Sequence, residues 1–436
     1  MRNNLVIVVL LILIAGIIIG VSVIITRPAP GVEKESVAKN VSQLPAGLPT
    51  ASTGQVGDLC SDCEMAPPKT LPPSANQISL FLEKTFNRGL GWVMSKQLND
   101  GSWPDPEGKS DAAMTAMALI SACHNTSTEY RQTYQTQIEK GIQYLLKRQQ
   151  PDGSIIDPGK FPAFATYKTP LALMALVAAD KEKYKDVIIK ARNYLAKAQY
   201  VNSSESWHNG GWGYQERGGE VKPNPNMSVL NQVAAALHEG GLPKDNEVWA
   251  RAVEFTTRCQ NSSETNKFQA VVGNDGGVFY SPMESKAGEE TLADGRKTFK
   301  SYASMTYAGL LSFIYADVDK NNPRVRAVYA WIQAHYNLDE NIGLRTDARP
   351  ELGKQGLFYY YHTFAKALDA YGEKIIITKP DNAEHFWAKD LTEKLAARQQ
   401  ENGTWVNDVD RWMEGYDLLT TCYSLMALDI CRKWVQ

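Results

Sequence analysis

A short phrase recurs in this chain, and its period narrows the fold before any single residue is weighed. Arg88-Gly89-Leu90-Gly91-Trp92-Val93 leads to Gln97 and then to Asp100-Gly101-Ser102-Trp103. Lys140-Gly141-Ile142-Gln143-Tyr144-Leu145 leads at the same spacing to Gln149 and then to Asp152-Gly153-Ser154-Ile155. Arg398-Gln399-Gln400-Glu401-Asn402-Gly403-Thr404-Trp405 repeats the second half near the end. Recurrence at this interval means repeated supersecondary units that bury their apolar faces on one another.

Between the phrases the chain alternates two kinds of helical pattern. One is amphipathic, as in 140–150, where Ile142, Leu145 and Leu146 share a face and charges take the other. The other is apolar nearly all round: Ala112–Ala122, Leu171–Ala179, Val229–Leu237, Ala303–Ala316 and Leu418–Leu428. A helix apolar on every face is buried on every face. Thr169-Pro170 reads as a cap and first position of one such helix, and Asp111 and Asp417 stand where a carboxylate suits the start of two others. Six pairs are counted from Gln97, Gln149, Gln199, Gln260, Tyr336 and Gln399, spaced by 52, 50, 61, 76 and 63 residues. Six hairpins with parallel inner helices predict an all-α (α/α)6 toroid over residues 77–436; an open solenoid would leave the inner helices uncovered.

Residues 1–27 have a different character. Leu5 to Ile25 is an apolar run of 21 residues with Ser22 its only polar side chain. Such a run matches the length of a transmembrane helix, whereas the apolar region of a signal peptide, the alternative, is about 7–15 residues. The expectation is a single-pass membrane anchor, with the membrane as a partner and the toroid outside the cytoplasm, in the periplasm. Residues 28–76, rich in Pro, Gly, Ser and Ala, read as a disordered linker. Cys60-Ser61-Asp62-Cys63 within it reads as a local clip or two free thiols. A net charge of −2 with no basic run argues against nucleic acid, and six cysteines are too few for a disulfide scaffold.

These residues resemble the terpenoid cyclase and protein prenyltransferase superfamily. In squalene and hopene cyclases the repeat reads Lys/Arg-Gly, an aromatic, an aliphatic, then Gln and Gly-x-Trp. Residues 88–103 fit it at every marked position, and 140–155 fit except at Ile155. Gly210-Gly211-Trp212-Gly213-Tyr214 looks like a further repeat end and Asn274-Asp275-Gly276-Gly277-Val278-Phe279 a weaker one. Residues 301–315 and 355–368 look like a bacterial, membrane-anchored branch of prenyltransferase and squalene-oxidase repeat proteins. The resemblance implies a toroid whose central cavity acts on or binds an isoprenoid or other lipid.

It also implies where chemistry would sit. Class II cyclases protonate an alkene or epoxide from a D-x-D-D run at the start of an inner helix. The matching residues are Asp111-Ala112-Ala113-Met114, in which the acidic pair is replaced by Ala113 and Met114. Asp408-Val409-Asp410 reads as a solvated turn. Prenyltransferases hold zinc through Asp-x-Cys and a histidine; Tyr361-His362-Thr363 matches the histidine context, and Thr420-Thr421-Cys422 lacks the aspartate, with Asp417 a nearby carboxylate. A catalytic zinc site needs three protein ligands. No cofactor is required by the sequence, and a zinc or other metal site is not expected.

The inner helices begin with polar or aromatic residues, which parallel packing gathers at one end. The candidates for catalysis are Asp111, His362 and Asp417; those for ligand contact are Tyr167, Asn226, Tyr302, Tyr360 and Tyr361. A concave aromatic site is the usual place for a ligand. Two other readings stay open: a non-catalytic binding or scaffold module, and a carbohydrate-active (α/α)6 enzyme with paired carboxylates across a cleft.

Overall fold

A computed structural model of the chain describes residues 75–123, 128–158, 164–214 and 224–435. Among these residues there are thirteen α-helices: α1 (Ala75–Met94), α2 (Ala112–Cys123), α3 (Thr128–Thr133), α4 (Gln135–Leu146), α5 (Ala165–Asp180), α6 (Lys185–Lys197), α7 (Met227–Glu239), α8 (Glu247–Arg258), α9 (Ala303–Tyr315), α10 (Pro323–Ala334), α11 (Leu357–Tyr371), α12 (Trp387–Arg398) and α13 (Asp417–Val435). Three two-stranded antiparallel ribbons decorate the turns: β1 (Trp103–Pro104) with β2 (Ser110–Asp111), β3 (Glu289–Thr291) with β4 (Lys297–Phe299), and β5 (Ile375–Ile377) with β6 (Glu384–Phe386).

The helices that read as apolar all round are the buried ones. Every residue of α2 is buried, and α9 is buried from Ala303 to Phe313. Each of α2, α5, α7, α9, α11 and α13 packs on the next, and α13 packs back on α2. The amphipathic helices cover them: α4 lies on α2, α6 on α5, α10 on α9, α12 on α13, and α1 reaches α13 from the other end of the sequence.

The repeated phrase supplies the seams between pairs. Gln97 donates from Nε2 to Gly101 O at 2.9 Å in its own turn and to Gln137 O at 2.8 Å in the next covering helix. Gln199 does the same to Gly210 O and Val248 O, and Gln260 to Gly276 O and Arg324 O. Gln399 bonds Gly403 O at 3.0 Å and Thr85 O at 2.9 Å, so the last repeat is tied to α1, the first helix. Tyr336, where the fifth repeat lacks Gln, makes the cross-repeat tie through its hydroxyl to Asp390 Oδ2 at 2.9 Å. A threonine in the covered helices, whose recurrence was not noticed in the sequence, repeats as well. Thr115, Thr169, Thr306 and Thr421 each accept, through Oγ1, the backbone N–H of Trp103, Ile155, Val278 or Trp405.

The turn glycine does more than permit a reversal. Gly101 has φ +90°, and a Cβ there would stand 2.6 Å from Lys140 O on α4. The glycine thus lets the turn press against the backbone of the next covering helix. Gly101→Ala is expected to cost about 2–3 kcal/mol, from left-handed strain plus overpacking, read as a lower midpoint in urea with unchanged slope.

Three expectations are corrected. The inner helix around Leu171 starts at Ala165, so Thr169 and Pro170 lie inside α5 rather than at its start; the Thr169 hydroxyl is spent on the neighbouring turn instead of on capping. Tyr360 and Tyr361 are not helix starts either, because α11 begins at Leu357 after Gly356. The expectation of a single-pass membrane protein with an extracytoplasmic body is overturned by the helices themselves: among the described residues none is long and apolar enough to cross a membrane. The all-round apolar helices α2, α7 and α9 have 12 or 13 residues and bury their faces on one another, whereas a span needs about 20. The run Leu5–Ile25, the linker at 28–76 and Cys60 with Cys63 lie outside the described residues.

Candidate functional site

At the N-terminal ends of the covered helices five tyrosines share an unusual environment. Tyr167 on α5, Tyr214 before α7, Tyr280 before α9, Tyr359 on α11 and Tyr423 on α13 are all half-buried. Burial is nevertheless the largest influence on each phenol and pushes its pKa up. The rings are mutual neighbours: Tyr167 and Tyr214 centroids are 6.2 Å apart, Tyr359 meets Tyr423 edge-on at 5.9 Å, and His362 stacks on Tyr423 at 5.8 Å. Tyr167 and Tyr423 lie close enough for each phenol to shift the other. Ser228 on α7 acts on both Tyr214 and Tyr359. The result is an aromatic cluster among α5, α7, α11 and α13.

The sequence candidates divide around it. Tyr167 and His362 belong to the cluster, Tyr167 beside Tyr214 and His362 stacked on Tyr423. Tyr302, Tyr360 and Tyr361 do not: all three are fully buried, and the Tyr360 and Tyr361 hydroxyls donate to Asn337 O and Leu338 O, both at 2.6 Å. Asn226 is buried and caps α7, accepting from Val229 N at 3.1 Å through Oδ1 and donating to Asn224 O at 3.0 Å. Asp417 opens α13 and, with Asp111, acts on the Tyr416 phenol, so the two acids share one neighbourhood. Asp408 and Asp410 are exposed, as a solvated turn requires.

Asp111 is engaged on both oxygens. Oδ1 accepts from Met114 N at 2.9 Å, capping α2, and Oδ2 accepts from Lys168 Nζ at 2.6 Å. Lys168 also donates to Asp157 Oδ2 at 2.5 Å, and Asp157 in turn receives Ala112 N at 3.0 Å and the Tyr144 hydroxyl at 2.7 Å. The Lys168 side chain is only 16% exposed. Burial works to lower its pKa, but the two carboxylates outweigh burial and the pKa is raised. An acid that protonates an alkene must present an O–H; Asp111 here presents two acceptors.

Glu414, which sequence reasoning missed, is 1% exposed. Its Oε1 accepts from Tyr359 N at 2.8 Å and its Oε2 from Asn407 Nδ2 at 2.6 Å, so a side chain from the loop before α13 caps α11. Burial pushes its carboxyl up to about 7, against these hydrogen bonds, which pull it down. A folded-state pKa above the unfolded value of 4.5 contributes stability that is present below 4.5 and lost as pH rises to about 7. The unfolding midpoint is expected to fall over that window, and Glu414→Gln to remove that part of the slope.

Among the described residues no three His, Cys, Asp or Glu side chains group as a metal site. Cys422 is fully buried, and burial pushes its thiol up to about 12; the neighbour that acts on it is Ser121 of α2.

Comparison with known proteins agrees with this architecture. Residues 112–276 match the family model of the squalene-hopene cyclase C-terminal domain. No curated protein matches the chain in sequence. Among solved structures, the chain is similar to the apo form of the type II terpene cyclase MstE from Scytonema, at 13% identity and TM-score 0.50, over 83% of this chain and 99% of that one. A variant of MstE in complex with geranylgeranyl dihydroxybenzoate, its substrate, aligns at 13% identity and TM-score 0.49, over 82% and 99%. An α-amylase from Clostridium perfringens aligns at 12% identity and TM-score 0.49, over 80% and 97%. The fold is terpene cyclase-like, and the resemblance is to the terpenoid cyclase-like superfamily.

Proposed function

We propose that residues 77–436 close as an (α/α)6 toroid whose tyrosine-lined chamber binds an isoprenoid, with Tyr167 and His362 at the ligand and Asp111 and Asp417 at the rim. Closure is supported by the packing of α13 on α2 and by the Gln399 tie to α1. The observation that supports the function is the cluster of five tyrosine rings and a histidine among the covered helices. Tyrosine faces suit the polarisable double bonds of a prenyl chain and any positive charge that develops along it.

The same geometry argues against cyclisation begun by a proton from Asp111. Lys168 holds that carboxylate as an acceptor at 2.6 Å, and the sequence offers alanine and methionine where a cyclase carries its acidic pair. The activity is binding, presentation or transfer of the isoprenoid.

Equilibrium binding of squalene, geranylgeraniol and geranylgeranyl diphosphate, with mass spectrometry of the recovered lipids, tests this. At least one should bind saturably at one per chain and be recovered unchanged, and Asp111→Asn should not alter that. A cyclised product that disappears in Asp111→Asn would overturn the non-protonating reading. Failure of all three to bind would leave a scaffold role.

A further inference from the structure

Two grooves occupy the same place in successive repeats. Each lies between a covering helix and the turn that ends the next covered helix: α4 with the end of α5, and α6 with the end of α7. The two covering helices open at Gln135 and Lys185, 50 residues apart, so their linings correspond position by position. Ile138 and Ile188 line both alike. Elsewhere Lys185 stands for Gln135, Ile189 for Glu139 and Arg192 for Ile142.

The exchange changes the charge. In the α4 groove Arg131 and Lys183 meet Glu139 and Asp180, two cations against two acids. In the α6 groove Lys181, Lys185 and Arg192 meet Glu182 alone. Asp186, in the first turn of α6, does not line it. Charges just beyond are engaged elsewhere: the Glu239 carboxylate lies 3.7 Å from Lys366, and Lys244 bonds Asp317 at 2.7 Å.

The bonds these cations make within the protein go to carbonyls. Lys181 Nζ donates to Glu239 O at 2.8 Å, and Arg192 Nη1 donates to Gly240 O at 3.2 Å and Gly241 O at 2.9 Å. They cover the free carbonyls at the end of α7 but bring no carboxylate to the cations. The guanidinium is left short of acceptors, since Nε is sealed and unpartnered and the bonds it makes leave from Nη1 alone. Buried polar groups are normally satisfied. The groove itself encloses a cavity of about 180 Å³, the share of about six waters. A tetrahedral oxyanion presents acceptors in several directions at once, which suits donors arriving from two elements.

We propose that the α6 groove binds a phosphate-bearing anion, inorganic phosphate or diphosphate or the phosphate group of an ester, held by Lys181, Lys185 and Arg192. The site is separate from the tyrosine cluster, which lies at the opposite ends of the covered helices, and does not depend on the isoprenoid reading.

Isothermal titration of the full chain with pyrophosphate and with inorganic phosphate at low salt tests this. One pyrophosphate per chain should bind, more tightly than phosphate, and binding should weaken as salt screens the charges. Lys185→Gln removes an exposed side chain, so it should leave the unfolding midpoint alone and weaken pyrophosphate about tenfold, the worth of one charge-assisted contact. Arg192→Gln should weaken it at least about tenfold. Ile189→Glu, which copies the acid of the α4 groove, should do the same without removing a cation. No saturable binding of either anion, or binding unchanged in all three variants, would overturn the proposal. Vesicles of phosphatidylcholine and phosphatidic acid distinguish the source: capture that Lys185→Gln loses assigns a lipid headgroup, and pyrophosphate binding without vesicle capture assigns a free anion.

Discussion

Replacing Lys168 with methionine should destabilise the protein by about 3–4 kcal/mol, because breaking a largely buried ion cluster leaves its other members uncompensated. The ammonium bonds Asp111 at 2.6 Å and Asp157 at 2.5 Å, and all three side chains are 16–18% exposed. With methionine at 168 two carboxylates would face each other with Arg148, 3.7 Å from Asp157, as the remaining cation. The loss should be recovered in large part when Asp111→Asn and Asp157→Asn are added, since a neutral cluster has no uncompensated charge. The pH dependence has a definite sign. The Lys168 pKa is raised above 10.5 in the folded state, so its stabilisation is fully present below 10.5 and fades as pH climbs past that value. Chemical denaturation from pH 6 to 11 should therefore show a constant gap between wild type and K168M that narrows at the alkaline end. A gap below 1 kcal/mol at pH 7 would mean that solvent screens the cluster as it does a surface pair.

Trp405→Ala should cost about 4 kcal/mol, within the usual range for a buried tryptophan. Trp405 is fully buried, its Nε1 donates to Leu395 O at 2.7 Å, and its ring sits where a Cβ on Gly89 of α1 would be 2.8 Å away. It is therefore the plug between the last pair of helices and the first. Its removal should raise amide exchange in α1 along with the global loss. Trp405→Phe keeps much of the ring and should cost about half as much, chiefly through the orphaned Leu395 carbonyl. If exchange rises around α13 and leaves α1 untouched, the seam is not held by this residue.

The parts of this molecule that were readable in sequence are those built from neighbours along the chain. The Gln, the turn glycine and the Trp, in the repeats that carry them, act within one hairpin and on the next, so their spacing carries their role. All-round apolar runs identified the covered helices because burial on every face leaves that pattern whatever the partner. Helix phase was not readable. In Tyr359-Tyr360-Tyr361 successive side chains are about 100° apart, and only Tyr359 meets Tyr423, while Tyr360 and Tyr361 bond the backbone carbonyls of Asn337 and Leu338. The register follows from where α11 starts, and that is decided by Glu414, 55 residues before which the capped N–H of Tyr359 lies. Lys168 escaped notice for a similar reason. A lysine beside a tyrosine looks like any solvated position until the fold brings Asp111, 57 residues away, onto it.

The central claim is that an isoprenoid occupies the tyrosine chamber. Photo-crosslinking with a benzophenone-bearing geranylgeranyl probe, followed by peptide mapping, tests it most directly. The label should fall on α11 and α13 around Tyr359, His362 and Tyr423, and unlabelled geranylgeraniol should compete it away. Label confined to the covering helices, or insensitive to competitor, would contradict the account.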